Sequence, residues 1–460
     1  MKRLVNLIMV HMQNDSSLEP TIIIGSGLAG LCCGFELADK GKRVMVLEAA
    51  PYIGGRTANW VEDGMEVESG FHKFLGYYTV LPEILKNAGI SMSDMVHWEE
   101  TTNIRHTEAQ GTFGLDPFKA PLKTIAGALG NNDLISPADK ASLIPFFTAG
   151  FKDYISKPHY LDQYSIKAYA EKYSVSTDAI ERLIQPLSSG IFFLPIEEYS
   201  AYAFFGLFAP ALPRLAKVRI GAFKGGMTDV MTGPLAKAIE ERGGQVLTGK
   251  TVSHLLYDNE KVVGVQLEDS SQIYGEQVVV ATNIRRAQML LSEHFHNHEW
   301  FQDFLSLESM PYVTAQFEAT EKLADADHTT FGPGTQLGSF SEQSRTTFKR
   351  PTGRASIILV DPDSLIDLPD EEVWEITKKS LHEVDLPNVD TMTQYRIIRG
   401  KENFYRLAKG NEHKRPKQIT PIDGLFLAGD YTDQPLLATM EGAAISGRRA
   451  ATGILTGRVL

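Results

Sequence analysis

The chain has 460 residues, enough for about three units of ~150 residues and for a core that encloses a sizeable ligand. Apolar residues make up 43% and charged residues 22%, which is ordinary globular usage and excludes a disordered or fibrous protein. The 45 basic and 57 acidic residues leave a formal charge of −12, the opposite of a nucleic-acid binder's balance. Cys32 and Cys33 are the two cysteines and are adjacent, so a disulfide framework is excluded and a reducing compartment fits.

Lys2 and Arg3 precede a short apolar stretch at 4–12. No small-residue cleavage site follows, so we read no signal peptide there, and Met9 or Met12 would also serve as a start. No run of 18 apolar residues occurs, so no membrane-spanning helix is expected; we expect a cytoplasmic protein, either free or peripheral on the inner face of a membrane. Residues 21–25 (TIIIG) read as a short buried parallel strand ending in glycine. Residues 28–40 carry helical spacing, with Leu31, Phe35 and Ala38 on one face and Gly41 as the stop. Residues 44–47 form a second strand closed by Glu48, completing one βαβ unit.

From about 100 to 215 the chain is rich in aromatics and in short amphipathic segments broken by proline. Beyond Gly243 strands return. Residues 251–257 and 262–267 alternate around Asp258-Asn259-Glu260 as a hairpin should. Residues 278–281 are another buried strand, and 424–430 (GLFLAGD) a third glycine-terminated one that leads into a final helix. We therefore expect an α/β protein: a discontinuous nucleotide-binding domain (18–100, 215–290 and 415–460) with an inserted mixed α+β substrate domain (101–214 and 291–414).

Gly25-Ser26-Gly27-Leu28-Ala29-Gly30 is a G-x-G-x-x-G placed between strand and helix. The first glycine permits the tight turn, the second lets the backbone approach a pyrophosphate, and the third lets helix and strand pack closely. The helix N-terminus adds free N–H groups for the anion. Glu48 lies 18 residues after Gly30, where a carboxylate takes ribose hydroxyls and repels a 2′-phosphate. Gly54-Gly55-Arg56 gives a second close-approach loop with a cation for the pyrophosphate. Gly221 to Gly226 (GAFKGG) fails the triplet pattern, so no separate nicotinamide domain is expected and electrons must pass to oxygen, a quinone or a transient acceptor.

Glu48-Ala49 followed by Gly54-Gly55-Arg56, then Gly70-Phe71-His72-Lys73-Phe74, and the terminal LAGDYTDQPLLATMEGAAISG together resemble the FAD-dependent amine oxidase superfamily, most closely its plant and cyanobacterial type of phytoene and ζ-carotene desaturases. Residues 120–125 with Asn131 and Asn132 are similar to another stretch of those desaturases. The resemblance implies a Rossmann-like FAD-binding domain of the glutathione-reductase type. It implies that Ala29, Glu48, Ala49, Arg56, His72, Lys73, Tyr78, Val252, Gly429 and Asp430 line the FAD site. It also implies that Met440 sits against the flavin and Ala438 faces the substrate. Plant-type enzymes carry an arginine near the position of Val230, so phytoene itself is not carried over as substrate.

The implied reaction is desaturation of an isoprenoid by hydride loss to flavin. Alternatives are an amine or protoporphyrinogen-type oxidase, a redox-neutral carotenoid isomerase, and a prenyl-binding escort protein. A helix beginning near Thr439 would aim its positive end at the flavin. Residues 191–194 and 201–212 are densely apolar; they read either as a buried core or as a substrate tunnel or membrane-resting patch. His294-x-His296-x-His298 reads as a solvated loop rather than a metal site, Cys32 and Cys33 as packing residues, and Lys414-Arg415-Pro416-Lys417 as a solvated cluster able to touch anionic lipid.

Overall fold

The computed structural model describes residues 19–114, 132–350 and 352–457. The apolar stretch at 4–12, the motif at 120–125 and Asn131 lie outside the described residues.

The βαβ unit forms as its pattern requires. Thr21–Ile24 pairs in parallel with Val44–Leu47 on one side and Gln277–Val280 on the other. Gln245–Leu247 and Leu425–Leu427 complete a five-stranded parallel sheet, in the order 245–247, 44–47, 21–24, 277–280, 425–427. Ile22, Ile23, Val278, Val279 and Val280 have no exposed surface, because a parallel sheet covered on both faces needs unbroken apolar strands. The helix Leu28–Ala38 packs on the sheet so tightly that a Cβ at Gly30 would lie 2.1 Å from the Gly25 carbonyl oxygen. The last helix, Met440–Thr456, lies on that first helix, where a Cβ at Gly447 would come within 2.3 Å of the Ala29 carbonyl oxygen. Cys32 and Cys33 are fully buried in this contact, as packing residues should be.

The expected hairpin forms between Val252–Asp258 and Lys261–Leu267. Asn259 and Glu260 both take positive φ, the geometry of a two-residue turn that matches the strand twist. A second, seven-stranded sheet draws two strands from Thr101–Arg105 and Gln110–Gly114 and the other five from Ser309–Ala319 through Met392–Tyr405. It is antiparallel except where Thr330–Phe331 meets Thr101–Arg105.

The aromatic stretch folds into helices. Pro137–Ser156 opens with a capping box between Ser136 and Asp139. It packs on Ala201–Phe208, whose Phe204 and Phe205 are buried against Phe146, Phe147 and Phe151. Residues 201–207 are therefore mostly core. Among the described residues no helix is long and apolar enough to cross a membrane.

Two sequence readings are corrected. The three histidines do not all lie in a loop: His294 sits within the helix Ile284–Phe295, while His296 and His298 occupy the turn that follows, where His298 accepts the Trp300 N–H as the cap of Glu299–Leu305. Among the described residues no cluster could hold a metal ion. The cluster at 414–417 is only partly solvated, because Arg415 is buried.

Candidate functional site

The parallel strands end at a cavity of about 370 Å³, where loops following all five of them converge, as open α/β sheets arrange their ligand sites. Gly25 has φ +105°, and a Cβ there would lie 2.8 Å from the Ala281 carbonyl oxygen, so the turn requires glycine. A Cβ at Gly27 would meet no atom within 4 Å; that open space faces the start of the first helix. Gly54 and Gly55 have φ of +114° and +56° and fold against Gly27. These four positions form a cradle lined by backbone rather than side chains.

Glu48 is fixed before any ligand arrives. The Ser26 N–H and hydroxyl both donate to its Oε2 at 2.8 Å, and the Ala50 N–H donates to Oε1 at 2.9 Å. Across the cavity Arg56 pairs with Asp430 at 2.5 Å and lies over the Phe404 ring at 4.4 Å. Asp430 is buried, and its second oxygen, Oδ2, has no hydrogen-bond partner. A buried carboxylate oxygen left unpaired costs free energy, and this one belongs to a residue of the cavity wall.

His72 Nδ1 lies 2.6 Å from the Gly70 carbonyl oxygen in the neighbouring turn. Since that partner only accepts, Nδ1 carries the proton. Burial lowers the His72 pKa to about 4, so the ring facing the cavity is neutral.

Gly25, Gly27, Ala29, Glu48, Ala49, Gly54, Gly55, Arg56, His72, Val252, Gly429, Asp430, Ala438 and Met440 all line the cavity. Three expected positions do not. Gly30 serves the helix–strand contact. Lys73 turns away to pair with Glu99 at 2.7 Å, while Glu99 also accepts the Thr329 N–H. Tyr78 is buried behind the wall, edge-on to Phe74 and Tyr77. Val230 also lies off the cavity wall, in the turn Thr228–Thr232.

The last helix reaches the cavity at its N-terminus. Thr439 caps it by accepting the Gly442 N–H, and Ala438 holds φ +51° just before. Sequence reasoning missed Lys250, Arg286, Tyr312, Asn403 and Phe404 on the wall. Asn283 N-caps the helix that presents Arg286, and Arg286 donates to the Val252 carbonyl. A strand followed by an asparagine cap (VVVATN) was the available signal for Arg286; Tyr312 and Phe404 come from the other sheet and carry no local signal.

The flavin containing amine oxidoreductase family matches residues 28–455. The chain belongs to that family and is a flavin-dependent oxidoreductase. It is 25% identical to a 15-cis-phytoene desaturase of Synechococcus elongatus, over 94% of this chain and 95% of that protein. It is 24% identical to a probable zeta-carotene desaturase of the same organism, over 95% of this chain and 99% of that one. An oxidoreductase of solved structure from Methanosarcina mazei superposes with a TM-score of 0.72 at 20% identity, covering 93% and 99% of the two chains. That likeness shows the shared fold.

Proposed function

We propose that the cavity binds FAD and that the protein desaturates an apolar, carotenoid-type substrate. The observation that carries this is the unpartnered Oδ2 of Asp430 beside the glycine cradle, in a chain related over nearly its full length to two carotenoid desaturases. The residues present fit the cofactor. Gly27 and the start of the first helix offer N–H groups to a pyrophosphate. Glu48 retains acceptor capacity for ribose hydroxyls, and Asp430 for hydroxyls of the ribityl chain.

When bound, FAD supplies the acceptor for the hydride removed from an allylic carbon. The chain's own contribution is placement. The N-terminus of Met440–Thr456, held by Thr439, points a positive dipole end into the cavity and favours arriving negative charge by roughly 0.3–2 kcal/mol. Neutral His72 adds no competing cation. Tyr52 and Trp60, stacked at 5.1 Å, with Tyr312 and Phe404, cover the cavity with apolar surface and exclude water. The discontinuous division fits this reading: segments 18–100, 215–290 and 415–460 carry the five-stranded sheet, and the intervening segments carry the seven-stranded sheet and the aromatic helices.

Purified protein should carry flavin absorbance, and FAD should be released on denaturation; a protein that neither carries nor takes up FAD ends the proposal. Offered phytoene, ζ-carotene, amines and protoporphyrinogen, each with a quinone or with oxygen, it should turn over a carotenoid alone. Turnover of an amine or of protoporphyrinogen alone would select the oxidase reading, and isomerisation without net electron transfer the isomerase reading.

Delivery of such a substrate calls for contact with a bilayer surface. Ile144 and Ile155 on Pro137–Ser156, and Leu212 and Leu215 beyond Phe208, are 66%, 77%, 41% and 62% exposed. Lys152, Lys157, Arg214 and Lys217 flank them, and residues 199–228 contain no acid. Exposed apolar residues beside basic ones, on a chain of charge −12, suit anionic lipid. Flotation with vesicles of anionic lipid should recover the wild type, and Ile144→Ser with Ile155→Ser should lower that recovery; equal recovery of both sinks the assignment of these residues.

A further inference from the structure

The loop between the last strand and the last helix carries Gly429, Asp430 and Ala438 to the cavity, yet it has no regular ladder of its own to hold it. Gln418, Ser446 and Arg449 each bond it from outside, and one buried guanidinium gathers three of its carbonyls. Arg415 donates from Nε to the Tyr431 carbonyl at 3.4 Å and from Nη2 to the carbonyls of Thr432 and of Gln434, the latter at 3.0 Å. Its Nη1 lies 2.9 and 3.0 Å from the two carboxylate oxygens of Glu412. The Arg415 side chain is 1% exposed and that of Glu412 14%. These carbonyls are acceptors that a helix or strand would have paired internally; in a buried loop they need an external donor. A planar fork of five N–H groups supplies several bonds in fixed directions, which a lysine cannot.

The same cluster continues into the aromatic helices. The Glu412 N–H donates to Asp162 Oδ2 at 2.9 Å, and the Gly410 N–H to the Asp162 carbonyl at 2.7 Å. Asp162 Oδ1 accepts the Ser200 hydroxyl at 2.6 Å, and that hydroxyl caps the buried helix Ala201–Phe208. One connected set of polar and charged groups thus joins the cavity loop to the aromatic helices.

We propose that Arg415 is a positioning residue that sets Asp430 and the start of the last helix for the cofactor, and that Glu412 and Asp162 couple this setting to the aromatic helices. The inference rests on the cavity being the FAD site. The groups facing Glu412 are Arg415 on its own turn, Asp162 and Asp433 from adjoining segments, and the phenols of Tyr154, Tyr202 and Tyr405. Burial pushes the Glu412 carboxyl up to about 7, with Arg415 opposing. Below that pH the acid no longer offsets the buried guanidinium.

The test compares wild type with Arg415→Gln, Arg415→Lys and Glu412→Gln by FAD dissociation constant from pH 6 to 8 and by amide hydrogen exchange of residues 429–440. Arg415→Gln should weaken FAD binding at least tenfold and speed exchange in that loop while the five-stranded sheet stays protected. Arg415→Lys should fail to restore affinity. Wild-type affinity should fall from pH 8 to pH 6, and Glu412→Gln, nearly isosteric, should flatten that profile. Wild-type FAD affinity and loop protection in folded Arg415→Gln would overturn the proposal, as would a pH profile unchanged in Glu412→Gln. If wild type takes up no FAD, the cofactor reading fails instead, and loop exchange still reports the clamp on its own.

Discussion

Asp430 and Arg56 meet across the cavity at 2.5 Å, and the pair shows how much a single residue here depends on its partner. Arg56 is a quarter exposed while Asp430 is nearly buried, so removing the guanidinium leaves a carboxylate both desolvated and unpaired. Breaking such a pair costs more than the pair contributed. Arg56→Ala should therefore raise the FAD dissociation constant at least tenfold, read by titrating apoprotein with FAD; an unchanged constant would refute a role for Arg56 in holding the cofactor. Gly30 makes a different argument, because its neighbour is backbone. A Cβ at Gly30 would lie 2.1 Å from the Gly25 carbonyl oxygen, and neither the strand nor the helix can yield without disturbing the cradle. Gly30→Ala should cost roughly 2–3 kcal/mol in urea melts. A loss under ~0.5 kcal/mol would mean that the helix rides more loosely on the sheet than these contacts allow.

Elements built from local pattern were legible, and those held by distant partners were not. The TIIIG strand, the first helix, the turn at Asn259-Glu260 and the start of the last helix at Thr439 all declare themselves through spacing, glycine and capping residues. Lys73 was placed at the cavity from its neighbours in the motif, but Glu99, 26 residues on, draws it away. Arg415 sits among Lys414 and Lys417 and reads as solvated, yet its partners at 431–434 bury it. Glu441 was equally silent. It stands in the first turn of the last helix and accepts the N–H groups of Thr79, Val80 and Leu81 at 2.6–2.8 Å. It thereby caps the helix Val80–Asn87 from 360 residues away, a separation no window of sequence can span. Glu441→Ala should destabilise by about 1–2 kcal/mol, the loss of a good N-cap, and should unprotect residues 80–83 to hydrogen exchange ahead of the sheet. Unaltered protection there would assign the start of that helix to something other than Glu441.

At the scale of the whole molecule, the region joining the cavity wall to the seven-stranded sheet is polar and buried. The Glu68 N–H donates to Gln316 Oε1 at 3.1 Å, and Gln343 donates to Glu68 Oε1 at 2.7 Å. Arg354, with no exposed surface, reaches Gln316 Oε1 at 2.7 Å and the Glu66 carbonyl at 3.1 Å. Burial pushes Glu68 up to about 7, while the Gln343 hydrogen bond and Arg354 pull it down. An unfolded glutamate titrates near ~4.3. Between those values the folded chain holds a proton that the unfolded chain has released, so this group's contribution falls as pH rises through the window and is flat above about 7. His72 works the other way: with its pKa lowered to about 4, it favours the fold increasingly as pH rises from there to ~6.5. The net profile mixes the two, so the informative quantity is the difference between wild type and Glu68→Gln. The amide keeps the shape and hydrogen-bonding capacity of the side chain but cannot ionise. Whatever fixed cost it carries beside Arg354, its stability relative to wild type should improve between pH 5 and pH 8, by up to about 3 kcal/mol. Urea melts of both proteins at the two pH values measure this directly. A difference that stays constant would place the titration of this joint elsewhere than at Glu68, and a difference of opposite sign would mean that Arg354 holds Glu68 ionised well below neutrality.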